Sequence, residues 1–242
     1  MSYFESRLSV DINDYKCVLN KLEFCKKLGI KNVILEPKNS IVEIPVELKE
    51  KIKKENLNIN IFFRINLDVE NINELRKEIK KLNNFKDILS IESLNKEVQI
   101  QAARDSRVDI VSFSHQETLK TLTPGIISLT KQNNSFIEFS LAPIMVLNKA
   151  TQSKNFRNLY RYIHLAFKLK ANCIISGNFE NIYEFRHPRA LISICHSLLG
   201  LSLDNAKKIF NLNPTLLLER TRKRSTRNFE QEVKLIKGDG NY

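Results

Sequence analysis

The sequence is poor in the residues that usually build an obvious catalytic centre. Its four cysteines, Cys17, Cys25, Cys173 and Cys195, form no Cys-x-x-Cys pair and no metal-ligand spacing. Each lies within an apolar pattern, which predicts buried reduced thiols rather than a disulfide or a zinc site. The four histidines, His115, His164, His187 and His196, form no His-x-His pair. His164 and His196 fall inside helical patterns, where a structural role is expected. No Gly-x-Ser-x-Gly, P-loop or Gly-x-Gly-x-x-Gly sequence occurs, so the nucleophile elbow and the two commonest phosphate cradles are excluded as motifs. No apolar run approaches the ~20 residues of a membrane span. The opening residues "MSYFESRLSV" lack the charged start and apolar stretch of a secretory signal. A cytoplasmic protein without a membrane partner is expected.

Acidic residues are in short supply too. Lysine and arginine total 39 against 27 aspartates and glutamates, a formal charge of +12. Such an excess suits a polyanion partner, most simply nucleic acid, although a lysine-rich soluble surface gives the same composition.

Short β-rich runs alternate with helical patterns along the chain. The runs are "YFESRLSV" (3–10), "KNVILE" (31–36), "NINIFFRIN" (58–66), "DILSIE" (87–92), "VDIVSF" (108–113), "SFIEFSL" (135–141) and "NCIIS" (172–176). Several are apolar at consecutive positions, as a strand covered on both faces requires. Helical stripes fill 13–28, 45–55, 71–82, 95–105 and 155–170, and Gly29 is placed to stop the first. This alternation predicts an α/β fold, a TIM-barrel-like (β/α) barrel of about seven parallel strands with outer helices. No eighth strand stands out. After residue 187 the pattern changes to extra C-terminal helices at 188–199, 202–211 and from 213 onward. A single domain over 1–219 is expected. The remainder, 220–242, begins "RTRKRSTR" and reads as a basic, flexible tail that could order on RNA.

A barrel keeps its chemistry at the C-terminal ends of its strands. Those positions hold Ser9, Glu36, Asn66, Glu92, Ser114, His115, Ala142, Ser176 and Gly177. Glu36 and Glu92 could serve as an acid/base pair, but ion pairing explains them equally well. No catalytic residue and no metal ligand is assigned. Basic residues are more informative. Arg64 interrupts an apolar strand and must reach water or find a partner. Arg104 and Arg107 flank "ARDSRVDIVSF", where Asp105 offers a local partner. Arg157 and Arg161 share a helix face beside Tyr160 and Tyr162, either a solvated face or an RNA groove. In "YEFRHPRALIS", Arg186 and Arg189 flank a His-Pro pair at a helix start, a position suited to an anion, with Glu180 or Glu184 as alternative local partners.

At these residues the sequence resembles the ribonuclease P protein component 3 family. The resemblance is carried by "SRVDIVSF" (106–113), "IEFSLAPIM" (137–145), "NCIISGNFENIYEFRHPRALISICHSLLGLSLDNAKKIF" (172–210) and "NPTLLLERTRKR" (213–224), and it spans nearly the whole chain except the tail. Ala142 departs from it where an arginine is expected, and Ala190 where an aspartate is frequent. The resemblance implies a barrel related to the polymerase-and-histidinol-phosphatase metallohydrolases but without their metal ligands. It implies an accessory subunit that binds the ribonuclease P RNA together with ribonuclease P protein component 2 and other ribonuclease P proteins. The RNA would use Mg2+ to remove 5′ leaders from precursor tRNA, and this chain would bind no cofactor. On that reading Arg64, Arg104, Arg107, His115, Arg186 and Arg189 are phosphate contacts. Arg157, Arg161, Arg220, Arg222, Lys223 and Arg224 are further RNA-binding candidates. The competing readings are a free-standing metal-dependent phosphoesterase of the same barrel class and a pure protein-interaction scaffold.

Overall fold

A computed structural model describes residues 3–38, 44–55, 58–82, 85–179 and 181–238, with 227–238 as backbone. Seven strands run in parallel and in chain order: β1 (Phe4–Val10), β2 (Asn32–Pro37), β3 (Asn60–Asp68), β4 (Ile88–Glu92), β5 (Ile110–Phe113), β6 (Phe136–Ser140) and β7 (Cys173–Ser176). Parallel neighbours need a crossover that returns the chain to the starting end of the sheet. The outer helices supply it: α1 (Tyr15–Lys27), α2 (Val46–Lys54), α3 (Ile72–Lys81), α4 (Lys96–Arg104), α5 (Gln116–Leu119), α6 (Pro124–Gln132) and α7 (Lys149–Lys168). Then come α8 (Pro188–Ser193), a π-helical turn over Ile194–Leu198, α9 (Leu203–Phe210) and α10 (Leu212–Gly238).

Local chemistry fixes the helix ends. The side chains of Asp14, Asn71, Asn95, Thr123, Asn148 and Ser202 each accept a first-turn backbone N–H, satisfying donors that have no helical partner. Gly29, Asn134 and Lys170 adopt positive φ of 73°, 52° and 57° just beyond α1, α6 and α7, which turns the chain back into the next strand. The segment between β5 and β6 holds α5 and α6, which the apolar pattern alone does not announce, although Thr123-Pro124 is a proper cap and first-turn pair.

The main core lies between the sheet's outer face and the helices. Val33, Leu35, Phe63, Ile65, Ile91, Val111, Ile137 and Ile175 meet Leu22, Leu75, Val98, Ile126 and Ile163 there. Each such side chain contributes about 1.5–3 kcal/mol on burial. The expectation of strands apolar on both faces holds only partly. Towards the strands' N-terminal ends the inner face is apolar, with Ile34, Ile88, Ile110, Phe136 and Ile174 packed together against Leu217 of α10. Further along the same strands the inner face becomes polar.

Helix α10 closes the N-terminal end of the barrel. It runs unbroken from Leu212 to Gly238, through the boundary at 219/220 that the basic run suggests. The reason is packing and charge: Leu217 fills the barrel floor, and Arg220 and Arg224 both bind the buried Asp109. The first part of the expected tail is thus part of the domain, and 239–242 lie outside the described residues.

Candidate functional site

The polar inner layer is an ionic network threaded through the barrel. Arg64, on β3, sits with no solvent exposure and makes a two-pronged pair with Glu138 of β6, at 2.9 Å (Nη1–Oε1) and 2.8 Å (Nη2–Oε2). Its Nε lies 2.8 Å from Glu36 Oε2. Arg7, on β1, donates to the other Glu36 oxygen from Nε at 3.0 Å and Nη2 at 2.8 Å, and from Nη1 to Glu92 Oε2 at 3.2 Å. Glu36 therefore bridges the two guanidiniums. Ser90, Ser112 and Ser114 add hydrogen bonds: Ser90 Oγ accepts from Arg64 at 2.8 Å, Ser112 Oγ donates to Glu138 at 2.9 Å, and Ser114 Oγ donates to Glu92 at 2.8 Å. Above this layer a cleft of about 820 Å³ opens at the strands' C-terminal ends, lined by Glu36, Lys38, Asn66, Asp68, Glu92 and His115 among others.

Two guanidiniums faced by three carboxylates make a costly interior with one negative charge in excess, held because each carboxylate is paired with at least one arginine. Burial alone would raise Glu92 and Glu138. Arg7 beside Glu92, and Arg64 with Arg7 beside Glu138, outweigh it and hold both carboxyls below their ordinary range. Glu36 and Glu92 are thus committed to arginines and are not a free acid/base pair. Among the described residues no group of three or more His, Cys, Asp and Glu side chains is placed to hold a metal ion.

The structure separates the basic candidates into three sets. Arg64 is corrected outright: it is buried inside the barrel with Glu138 and Glu36, and RNA cannot reach it without opening the sheet. Arg220 and Arg224 are committed to the barrel floor instead, Arg224 buried and Arg220 half-buried. Arg224 donates to Asp109 at 3.0 Å and to Phe85 O at 2.9 Å; Arg220 donates to Asp109, to Asn134 O at 2.9 Å and to Ser106 O at 3.1 Å. They hold α10 to the barrel floor. Arg107 is bound to Asp105 at 2.7 Å with its side chain still partly exposed. Arg104, Arg222 and Lys223 are exposed at the same end of the barrel. Arg157 and Arg161 are exposed on α7, Arg161 beside the Tyr162 ring at 5.6 Å.

His115, Arg186 and Arg189 belong to the opposite end. His115 caps α5 and is exposed. The helix start at Pro188 is not an open anion site, because His187 Nδ1 already accepts from Arg189 N at 3.1 Å. Arg186 donates to the carbonyls of Tyr183 at 2.6 Å and Phe185 at 2.9 Å, pinning the turn before α8. Both arginines stay exposed; Glu180 lies outside the described residues.

The comparisons with known proteins agree with this architecture. The profile of the family described as RNase P subunit p30 matches residues 8–226. The chain belongs to the RNase P subunit p30 family. It is similar to ribonuclease P protein component 3 of Methanococcoides burtonii, 23% identical over 67% of this chain and 67% of that one. It is also similar to the component 3 protein of Methanococcus maripaludis strain C5, 26% identical over 55% of this chain and 58% of that one. Its fold matches a chain in the cryo-EM structure of archaeal ribonuclease P with mature tRNA, with a TM-score of 0.73, 18% identity and 90% of both chains covered. A crystal structure of a putative prolidase from Bifidobacterium longum shares the barrel with a TM-score of 0.65 at 9% identity, covering 91% of this chain and 70% of that one. As a p30-family protein the chain is a subunit of ribonuclease P, an endoribonuclease assembly. Among the described residues no helix is long and apolar enough to cross a membrane.

One further carboxyl marks the seam of this p30-family barrel, between its end strands β1 and β7. Glu5 Oε1 accepts from Gly177 N at 3.0 Å and from Arg7 N at 3.2 Å. A Cβ on Gly177 would stand 2.7 Å from Glu5 Oε2 and 2.5 Å from Phe179, so the seam closes only around glycine. Burial pushes the Glu5 carboxyl from 4.5 up to about 7, with Glu138 adding to the rise and the backbone donors opposing it. Between pH 4.5 and 7 the folded chain therefore holds a proton that the unfolded chain has lost. That stabilisation is complete below pH 4.5 and is lost as pH rises to about 7. Glu5→Gln should remove this dependence. Relative to wild type, the variant is expected to gain about 3 kcal/mol between pH 4.5 and 7.5. Chemical denaturation at several pH values measures it; a constant difference between the two proteins would show that Glu5 does not titrate there.

Proposed function

We propose that the chain is a non-catalytic, RNA-binding subunit of ribonuclease P. It supports removal of 5′ leaders from precursor tRNA, with the Mg2+-dependent hydrolysis carried out by the RNA. The observation that carries this reading is the filled barrel interior. The Glu36, Glu92 and Glu138 carboxylates, which would be the natural ligands or bases of a barrel hydrolase, are each bound to Arg7 or Arg64. The residues present do not fit a metal, since each carboxylate is already paired with an arginine. The +12 charge supports RNA as the partner, through phosphate contacts that position rather than read sequence. Arg104, His115, Arg157, Arg161, Arg186, Arg189, Arg222 and Lys223, all exposed, are the candidate contacts. Ribonuclease P protein component 2, other ribonuclease P proteins and precursor tRNA complete the proposed assembly.

Reconstitution tests this. The full chain is combined with the ribonuclease P RNA and component 2, and cleavage of a precursor tRNA is followed at limiting Mg2+. Adding the chain should raise the cleavage rate and lower the Mg2+ requirement. Alone, with Mg2+ or Mn2+, it should hydrolyse neither precursor tRNA nor a phosphomonoester. Chelator-sensitive hydrolysis by the purified chain alone would overturn the non-catalytic reading in favour of the phosphoesterase.

A further inference from the structure

Where on the barrel the RNA sits follows from how the chain distributes its charge. Because neighbouring strands are all parallel, every crossover helix must end at the strands' N-terminal end. The last turns of α1, α4, α6 and α7 bring Lys26, Lys27, Arg104, Lys131 and Lys168 to that end. The turns leading into β2, β4, β5 and β7 add Lys31, Lys86, Arg107 and Lys170. Helix α10, lying across the same end, adds the exposed Arg222 and Lys223. The acids are mostly spent. In those turns Asp87 is bound to Lys49, Asp105 to Arg107, and Asp109 to Arg220 and Arg224. Glu219 is the exposed acid on the described part of α10.

The turns leaving the strands are the reverse. Among the described residues they carry Asp11, Asp14, Glu70 and Glu184 against Lys38 and Arg186, and the first helical turns beyond them add Glu47, Glu74, Glu97 and Glu117 against Lys16, Lys96, Lys149 and Arg189. Helix dipoles do not undo the difference. A helix C-terminus carries about −0.5 of a charge, less than the full positive charge of the lysine or arginine beside it.

The basic end also has a shaped receptor. A cleft of about 730 Å³ lies between α10 and the ends of β5, β6 and β7, lined by Arg107, Asn133, Asn134, Asn172 and Lys223, with Glu219 as its one acid among the described residues. Cations interleaved with asparagine amides are the side chains that bind phosphate and ribose oxygens.

We infer that the RNA backbone docks on the N-terminal end of the barrel, across α10 and this cleft, and not on the C-terminal end where barrel enzymes keep their chemistry, so that Arg104, Arg222 and Lys223 are contacts and His115, Arg186 and Arg189 are not. The inference deepens the RNA-binding reading above and rests on it. It also accounts for an enzyme-like barrel without enzyme-like use: the end that faces substrate in a hydrolase is here the less basic one.

Two matched triple variants of the full chain test it. One neutralises the cleft end (Lys131→Gln, Lys170→Gln, Lys223→Gln). The other neutralises the opposite end (Lys16→Gln, Lys38→Gln, Lys96→Gln). All six lysines are exposed, and both variants lose the same charge. Affinity for a ribonuclease P RNA transcript is measured across a salt series, with circular dichroism confirming that each variant is folded. The cleft variant should bind about tenfold or more weakly near 0.1 M salt, with a log–log salt slope flatter by about 2–3. The opposite variant should stay close to wild type. Equal losses in both variants would mean that net charge, not a face, governs binding, and a larger loss at the opposite end would reverse the assignment; either overturns the inference. Displacement of the RNA by polyglutamate as effectively as by competitor RNA would overturn it in favour of an acidic protein partner. If the wild-type chain shows no salt-sensitive RNA binding, the RNA reading itself fails and the docking face falls with it.

Discussion

Replacing Arg64 with leucine is expected to destabilise the protein by about 3–5 kcal/mol, the cost of leaving a buried carboxylate without its partner. Glu138 has no solvent exposure, and both of its oxygens are bound to Arg64. Arg7 approaches it only to 3.8 Å and is already shared between Glu36 and Glu92, so it cannot fully replace Arg64. For a chain of this size the loss corresponds to a fall of about 6–20 °C in Tm. The double variant Arg64→Leu with Glu138→Leu should recover much of the loss, because two apolar side chains of similar reach need no counter-charge. Denaturation of the two variants decides the point. An Arg64→Leu protein within 1 kcal/mol of wild type would mean that water or a neighbour satisfies Glu138, and that the interior is looser than its geometry. At low temperature, where the variant stays folded, its RNA affinity should match wild type, since Arg64 is not on the surface.

That arginine also shows where sequence reasoning stops. The fold was legible because periodicity reports it directly: runs such as "NVILE" and "DIVSF" alternate with amphipathic stripes at βα spacing, and all seven strands appear where those runs lie. The site was legible only in part. Arg64 declared that it needed a partner, but not which one, because Glu138 lies 74 residues away and only barrel closure brings them together. A usable signal was present in the set. Glu36, Arg64, Ser90, Ser112, Glu138 and Ser176 each place a polar residue within a largely apolar strand, as expected of a shared polar layer seen one strand at a time. Read singly, each passes for an edge or surface position. The basic run after residue 219 departs from its expectation for a related reason. Composition described "RTRKRSTR" as solvated, but Leu217, Arg220 and Arg224 lie at helical spacing and share one face. That face meets the barrel floor, while Arg222 and Lys223 point away from it.

The attachment of α10 should therefore depend on one carboxylate. Asp109→Asn keeps the shape of the side chain but removes the charge that Arg220 and Arg224 share, and leaves two guanidiniums at the barrel floor without a counter-ion. Asp109 Oδ2 also accepts from Leu89 N at 3.0 Å, so the site is tied to β4 as well. A loss of about 3–5 kcal/mol is expected, concentrated at one end of the molecule. Hydrogen exchange should find amides over 216–226 opening far more readily in the variant, while those of β3 and α3 keep their wild-type protection relative to global unfolding. Arg220→Met with Arg224→Met in the same Asp109→Asn background should restore part of the stability, because no buried charge is then left unmatched. Unchanged protection over 216–226 in Asp109→Asn would show that Leu217 and the carbonyl contacts hold the helix without the ion pairs. Because α10 carries Arg222 and Lys223 on its outer side, loosening it should also weaken RNA binding although Asp109 itself never meets RNA. The double substitution at Arg220 and Arg224, by re-seating the helix, should return that affinity towards wild type with two arginines fewer, an outcome that treating the two as RNA contacts could not produce.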